Sequence, residues 1–182
     1  TVIDVLKNSG DDYKIMDYEP IGSDERQFCS PGFNLPVGTL QRTSPPNFPE
    51  YHTSADNTSF VQPKYLADSF SKYFKVILKL EENFGKFYSK NNEEELPEID
   101  SKNDQVFLNL SPKCEPKLDK TGVYRKIGGE NYNDALPILW VLNYSDGKHS
   151  LRHISLRSGI ALNQIKQTAE LLHEKKLLKR IL

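Results

Sequence analysis

The sequence predicts an α/β chain in two parts: an N-terminal α/β portion over residues 1–112 and a small winged-helix module over residues 113–182. Three observations predict it. A helix end, a strand and a Pro/Gly-rich loop follow one another at the start of the chain. Three helices and an apolar strand follow one another from residue 133. The charge divides at the same boundary: residues 1–112 carry 11 Lys+Arg against 18 Asp+Glu, a balance of −7, and residues 113–182 carry 13 against 7, a balance of +6. An acidic body with a basic tail suggests two modules with different partners.

Composition sets outer bounds. A chain of 182 residues, 37% hydrophobic and 27% charged, has the balance of an ordinary soluble globular protein. No apolar run approaches the roughly 20 residues that a membrane helix needs, and Asp4 and Lys7 break the one apolar patch at the start. Cys29 and Cys114 are the only cysteines and have no CxxC spacing. That argues against a disulfide framework or thiolate zinc site and for a reducing compartment, the cytoplasm by default. The chain begins at Thr1 and its only methionine is Met16, so it is expected to be a processed product or a piece of something longer.

Val2, Ile3, Val5 and Leu6, ending at Ser9-Gly10, read as the last turns of a helix with a glycine stop. Residues 13–19 alternate apolar and polar side chains and predict a strand running into the loop that starts at Pro20. A loop at a strand's carboxyl end is where α/β folds place ligand sites. Residues 37–41 predict another strand. Pro45, Pro46 and Pro49 then forbid regular structure. Pro63 opens a long helix over residues 64–88, with Leu66, Phe70, Tyr73, Phe74, Ile77 and Leu78 at helical spacing on a stripe expected to pack on the sheet. The polar, acidic stretch 91–105 reads as a linker, and residues 106–110 as a last short strand of the first part.

In the second part, residues 135–143 predict a helix ending at the turn Ser145-Asp146-Gly147. Ser150 caps a short helix stopped by Gly159. Residues 162–176 predict a third helix and residues 177–182 a strand. That order is the order of a winged helix. Asn163, Gln164, Lys166 and Gln167 fall early on its third helix, where base contacts are made in DNA-binding relatives of that shape. Packing on a neighbouring domain or subunit is the plainer use of such a module.

Residues 22–61 hold the chemistry. His52, in a Pro-rich loop, suits a metal ligand, because a neutral imidazole binds zinc readily; a structural histidine bonding loop carbonyls is the alternative. Tyr51 could donate to an oxyanion beside such a metal, or be a buried aromatic with a satisfied hydroxyl. Asp56 could orient the imidazole or cap the turn before Pro63. Asp24, Glu25 and Arg26 could be a surface charge cluster, an internal ion-pair network, or groups that orient a substrate amine.

The segment Tyr51-His52-Thr53-Ser54-Ala55-Asp56 resembles the Y-H-T-x-x-D segment of the co-catalytic zinc aminopeptidases, a superfamily shared with the glutaminyl cyclases. Gly22-Ser23-Asp24-Glu25 similarly resembles the S-D-H segment of that superfamily, with Glu25 in place of its histidine. Residues 22–38 (GSDERQFCSPGFNLPVG), the EYHTSADN segment and LWVLNYSDGKHSL together resemble a bacterial aminopeptidase-like family with a C-terminal winged helix, sometimes linked to polysaccharide biosynthesis. The resemblance implies a three-layer α/β sheet domain of which this chain is the C-terminal portion. It implies a zinc-dependent hydrolase of peptide or amide bonds, with His52 as metal ligand, Tyr51 and Asp24 as catalytic groups and Glu25 and Arg26 as substrate contacts. Only 21 residues precede Gly22, and they contain no histidine. One imidazole does not hold a catalytic zinc, which takes about three protein ligands, so most of the ligand set is expected outside the chain. The expected partners are a peptide or amide substrate and, through the winged helix, a second copy of the chain; neither nucleic acid nor a membrane is expected. The competing readings are a winged-helix regulator with a non-catalytic peptidase-like domain, and a degenerate peptidase fold that has lost its chemistry.

Overall fold

The structure is a computed structural model that describes residues 1–22, 24–44, 47–84, 98–123 and 132–182. Part of the 64–88 helix and part of the 91–105 linker lie outside the described residues. The chain divides into two compact units: Thr1–Asp17 with Thr39–Glu93, and Tyr18–Gly38 with Glu94–Leu182.

The first unit contains α1 (Val2–Lys7) and a long helix, Pro63–Glu82. The helix starts where Pro63 takes the first-turn position behind an extended Gln62, because the N–H that proline lacks would have no intrahelical partner there. Gly10, at φ +77°, follows α1. Residues 13–19 and 37–41 do not form the expected strands. Alternation decides which side chains could share a face, but a strand also needs a neighbour for its N–H and C=O groups. Among the described residues neither segment has a partner strand. Among the described residues of this unit, only Val5 and Val76 are buried apolar side chains.

The second unit has a core of ordinary kind. Beyond α2 (Asp24–Phe28), its elements are β1 (Val106–Asn109), a 3-10 turn (Leu118–Lys120), α4 (Tyr132–Tyr144), β2 (Asp146–Ser150), α5 (Leu151–Ser158), α6 (Leu162–Glu174) and β3 (Leu178–Arg180); the long helix of the first unit is α3. The sheet runs β2-β1-β3, with β1 antiparallel to both neighbours and Phe107 opposite Arg180. Phe107, Trp140, Val141, Leu151, Ile154, Ile165, Leu172 and Leu178 fill the space between sheet and helices, each at most 2% exposed.

Local sequence explains the boundaries. The Ser150 hydroxyl accepts from His153 N–H at the start of α5, and Gly159 ends that helix at φ +70°. Asp146 Oδ1 accepts from the N–H groups of Lys148 and His149 at 2.8 and 3.0 Å, so the turn chemistry expected at Ser145-Asp146-Gly147 is present. Asp146 and Gly147 nonetheless belong to β2, whose ladder with β1 carries an irregularity between Val106 and Leu108. Gly147, at φ +83°, absorbs the bend.

Residues 106–109 form a strand, but not one that closes the first part of the chain. β1 is the middle strand of the second unit's sheet. Both of its edges are taken, so a strand after β3 could join only at an outer edge, and the usual wing hairpin cannot be inserted at the centre.

Candidate functional site

Tyr51 and His52 lie in the first unit, on a loop built from successive turns. Glu50 C=O accepts from both the N–H and the hydroxyl of Thr53, at 3.0 and 2.8 Å. His52 occupies the third position of that turn at φ +59°. A non-glycine residue pays roughly 1–2 kcal/mol for this left-handed conformation, although histidine visits it more readily than most. The Tyr51 ring packs edge-on against the imidazole with centroids 4.1 Å apart. Phe48 also packs edge-on against Tyr51 at 5.6 Å and stacks on Phe60 at 5.8 Å. Tyr51 is 41% exposed, not the buried aromatic that was one alternative, and His52 is also exposed. The Asp56 N–H donates to Thr53 C=O, while the residue preceding α3 is Gln62. The loop thus presents a phenol and an imidazole side by side on a surface.

The same unit holds a cavity of about 850 Å³ between α1, residues 11–16, residues 39–44 and α3. Asp11, Arg42 and Lys72 on its wall belong to an ion-pair network. Lys72 Nζ meets Asp11 Oδ2 at 2.7 Å and Asp68 Oδ2 at 2.5 Å, and Arg42 also pairs with Asp68. The hydrogen bond with Lys72 is the largest of the effects that hold both carboxyls below the usual range, and its bonds to Asp11 and Asp68 raise the Lys72 ammonium above its ordinary value. The Asp68–Lys72 pair was legible as an i,i+4 spacing. Asp11 and Arg42 join it only through the fold, and no local signal marked them.

Asp24, Glu25 and Arg26 belong to the second unit, on α2. Asp24 is exposed. The Glu25 carboxylate folds back against Gly22, at the place a Cβ there would occupy. Arg26 Nε lies 2.8 Å from Glu115 Oε2, with both side chains largely buried. Burial pushes the Glu115 carboxyl above its ordinary value, against the opposing pull of Arg26. The Arg26 backbone carbonyl accepts from Asn143 Nδ2 at 3.1 Å, and Asn143 Oδ1 accepts from the Tyr18 hydroxyl at 2.9 Å. Burial raises the Tyr18 phenol in turn. Backbone N–H groups of Cys114 and Glu115 donate to Ser30 Oγ and Gln27 Oε1. The internal ion-pair alternative for this charged cluster is therefore realised at Arg26. Its bonds tie residues 18–35 to the winged-helix unit, a role the sequence did not signal because Glu115 lies 89 residues away.

The remaining histidines sit on β2, α5 and α6. His149 Nδ1 meets Asp146 Oδ2 at 3.0 Å, and the His149 and His153 rings are 5.6 Å apart. His173 Nδ1 bonds Leu178 C=O. Burial would raise Asp146, but the His149 hydrogen bond and two backbone N–H groups outweigh it and hold the carboxyl at about 2. Among the described residues no three His, Cys, Asp or Glu side chains are grouped as a metal site requires. On α6, Asn163, Gln164 and Gln167 are exposed and Lys166 is half-buried.

The second unit is a winged-helix domain by its element order, and residues 105–180 match a family described as winged helix-turn-helix. Residues 1–83 match a family described as a domain of unknown function, DUF4910. Along nearly its whole length the chain is similar to a Clostridium acetobutylicum protein, provisionally named as a polysaccharide biosynthesis protein with an aminopeptidase-like domain. The two are 44% identical over 179 residues, which are 97% of this chain and 36% of that protein. A crystal structure from the same organism, provisionally named as a peptidase, is 40% identical and covers 99% of this chain and 35% of its own, with a TM-score of 0.42. The chain thus spans about a third of the length of these relatives. No described helix is long and apolar enough to cross a membrane.

Proposed function

We propose that this chain is the C-terminal portion of an aminopeptidase-like hydrolase acting on peptide or amide bonds. One observation carries the proposal: 44% identity, sustained over 97% of the chain, to a protein whose name includes an aminopeptidase-like domain. In this reading His52 serves as a zinc ligand, Tyr51 stabilises the developing oxyanion and Asp24 supports the site. The left-handed backbone at His52 fits a functional residue, since strained conformations gather at such places. Glu25 is assigned to the substrate amine. Arg26, the other proposed substrate contact, already has its charge balanced by Glu115, so it acts on substrate through the loop it anchors.

The residues described do not by themselves fit a catalytic zinc. Such a site takes about three protein ligands, and His52 stands without two others near it among the described residues. The remaining ligands and the general base belong, in this reading, to the rest of a longer protein. A reducing, cytoplasmic setting is part of the proposal, with Cys29 and Cys114 both free thiols, as is self-association through the winged helix.

The test is an aminopeptidase assay on the longer protein that carries this chain. Release of an N-terminal residue should require zinc and fall at least about 100-fold in His52→Ala. Chelator-resistant release, or a His52→Ala protein with full activity, would remove the reading.

A second reading is favoured by the exposed Asn163, Gln164 and Gln167 on α6, a helix of a winged-helix domain in the basic part of the chain. A regulator would bind duplex DNA with a steep salt dependence. The sheet weighs against it, because β1 fills the position from which a wing would normally extend.

A further inference from the structure

α2 carries Asp24 and Glu25, the groups assigned above to the site and to the substrate amine, and it belongs to the winged-helix unit. The helix is five residues long, so it cannot satisfy its own last carbonyls. Cys29 N–H takes Glu25 C=O at 2.8 Å, but Ser30 N–H, which would take Arg26 C=O in a longer helix, turns to Gln27 C=O at 3.3 Å. The Asn143 side chain supplies the donor instead. Its Nδ2 donates to Arg26 C=O at 3.1 Å, and its Oδ1 accepts from the Tyr18 hydroxyl at 2.9 Å. Tyr18 and Arg26 flank Gly22, Asp24 and Glu25 in sequence, so one amide clasps both ends of the stretch that carries them. Burial raises the Tyr18 phenol, so it remains a donor at neutral pH. Asn143 is itself held firmly, because it follows Trp140, Val141 and Leu142 on α4, each at most 4% exposed. Gly22 then sets the Glu25 side chain, whose carboxylate occupies the space that a Cβ at residue 22 would need.

We infer that Asn143 is a positioning residue for the aminopeptidase-like site: with Tyr18 and Gly22 it fixes where α2 presents the Glu25 carboxylate to the substrate's amine. The role of Glu25 rests on the functional reading above, whereas the clasp rests on geometry alone. A side-chain amide suits the task, because it donates and accepts at once and so fixes two points of the chain, both released by alanine. The winged-helix unit thus contributes to substrate binding, while His52 belongs to the other unit.

Hydrogen exchange and steady-state kinetics on the longer protein that carries this chain test the inference. Asn143→Ala should make the α2 amides exchange at least about tenfold faster and leave those of α6 unchanged. It should raise KM for an aminoacyl anilide at least about tenfold, with bound zinc unchanged. In a Glu25→Gln background the same substitution should raise KM by less than about twofold, because the group it positions is already disabled. Gly22→Ala should also raise KM, at unchanged α2 exchange, since only a flexible carboxylate has to move. A loss of kcat at unchanged KM would show a merely structural role and overturn the inference. Fully additive effects of Asn143→Ala and Glu25→Gln would do the same, and unchanged α2 exchange in Asn143→Ala would remove the clasp itself. A parent protein without aminopeptidase activity would remove the functional proposal and the role of Glu25 with it, with α2 exchange still deciding the clasp.

Discussion

Arg26 Nε and Glu115 Oε2 meet at 2.8 Å and join α2 to the segment that follows β1 in the same unit. The side chains are 23% and 16% exposed, so the pair is mostly withdrawn from water. Arg26→Ala should destabilise the second unit by about 2–3 kcal/mol, because it strands a carboxylate whose charge burial already disfavours. Denaturant unfolding, followed by Trp140 fluorescence, would measure it. A loss below about 0.5 kcal/mol would show that the pair contributes little.

The same pair gives a pH dependence. Burial raises the folded-state Glu115 carboxyl above its ordinary value of 4.5, so folding favours the protonated form. The cost of its charge is absent at pH below 4.5 and grows as pH rises through the folded value. Glu115→Gln should flatten this part of the stability–pH curve, measured against the parent chain by urea midpoints. An unchanged slope would assign the dependence elsewhere.

Asp146 runs in the opposite sense. Its carboxyl is held at about 2, below its ordinary value of 3.8. The associated stability is present above 3.8 and is lost as pH falls toward 2. A shift of this size corresponds to at most about 2 kcal/mol for a partly buried group. Asp146→Asn should remove that acid-side loss and lower stability at neutral pH by about 1–2 kcal/mol, read from the same titration of unfolding midpoints.

Gly32 is set against backbone. Its N–H donates to Pro112 C=O at 2.8 Å, and an added Cβ would lie 2.8 Å from Lys113 Cγ and 3.0 Å from both the carbon and the oxygen of the Pro112 carbonyl. Lysine can swing aside but the backbone cannot. Gly32→Ala should therefore cost about 1–3 kcal/mol and make residues 18–38 more sensitive to limited proteolysis, with α5 and α6 still protected. Equal cleavage rates in the two proteins would refute this account.

Ser150 and Gly159 bound α5. Ser150→Ala removes the hydroxyl that accepts from His153 N–H and should cost about 1 kcal/mol. Gly159→Ala forces a side chain into φ +70° and should cost about 1–2 kcal/mol. Thermal unfolding of the two single variants would test both, and the double variant should show near-additive losses.

The second unit was the more legible in sequence. Its helices follow from apolar spacing, a serine cap and a glycine stop, all of which act within a few residues. That is why α5 and α6 fall within two residues of expectation. The loop residues Tyr51 and His52 were legible as residue types, but their edge-on packing at 4.1 Å and the positive φ of His52 were not. The expected strands at 13–19, read from alternation, and at 37–41 rested on local sequence alone, and local sequence does not supply a neighbouring strand.

By itself the sequence determined which segments can be helical, where they stop, and which residue types are able to do chemistry, because those properties are set by neighbours along the chain. The tertiary structure decided the partners. It placed β1 at the centre of the second sheet instead of at the end of the first part. It drew Arg26 to Glu115 and Lys72 to Asp11, and it left the Phe70 face of α3 exposed. Each of these depends on groups far apart in sequence meeting in space. No local propensity encodes such a meeting, since its free energy exists only once the rest of the fold has brought the groups together.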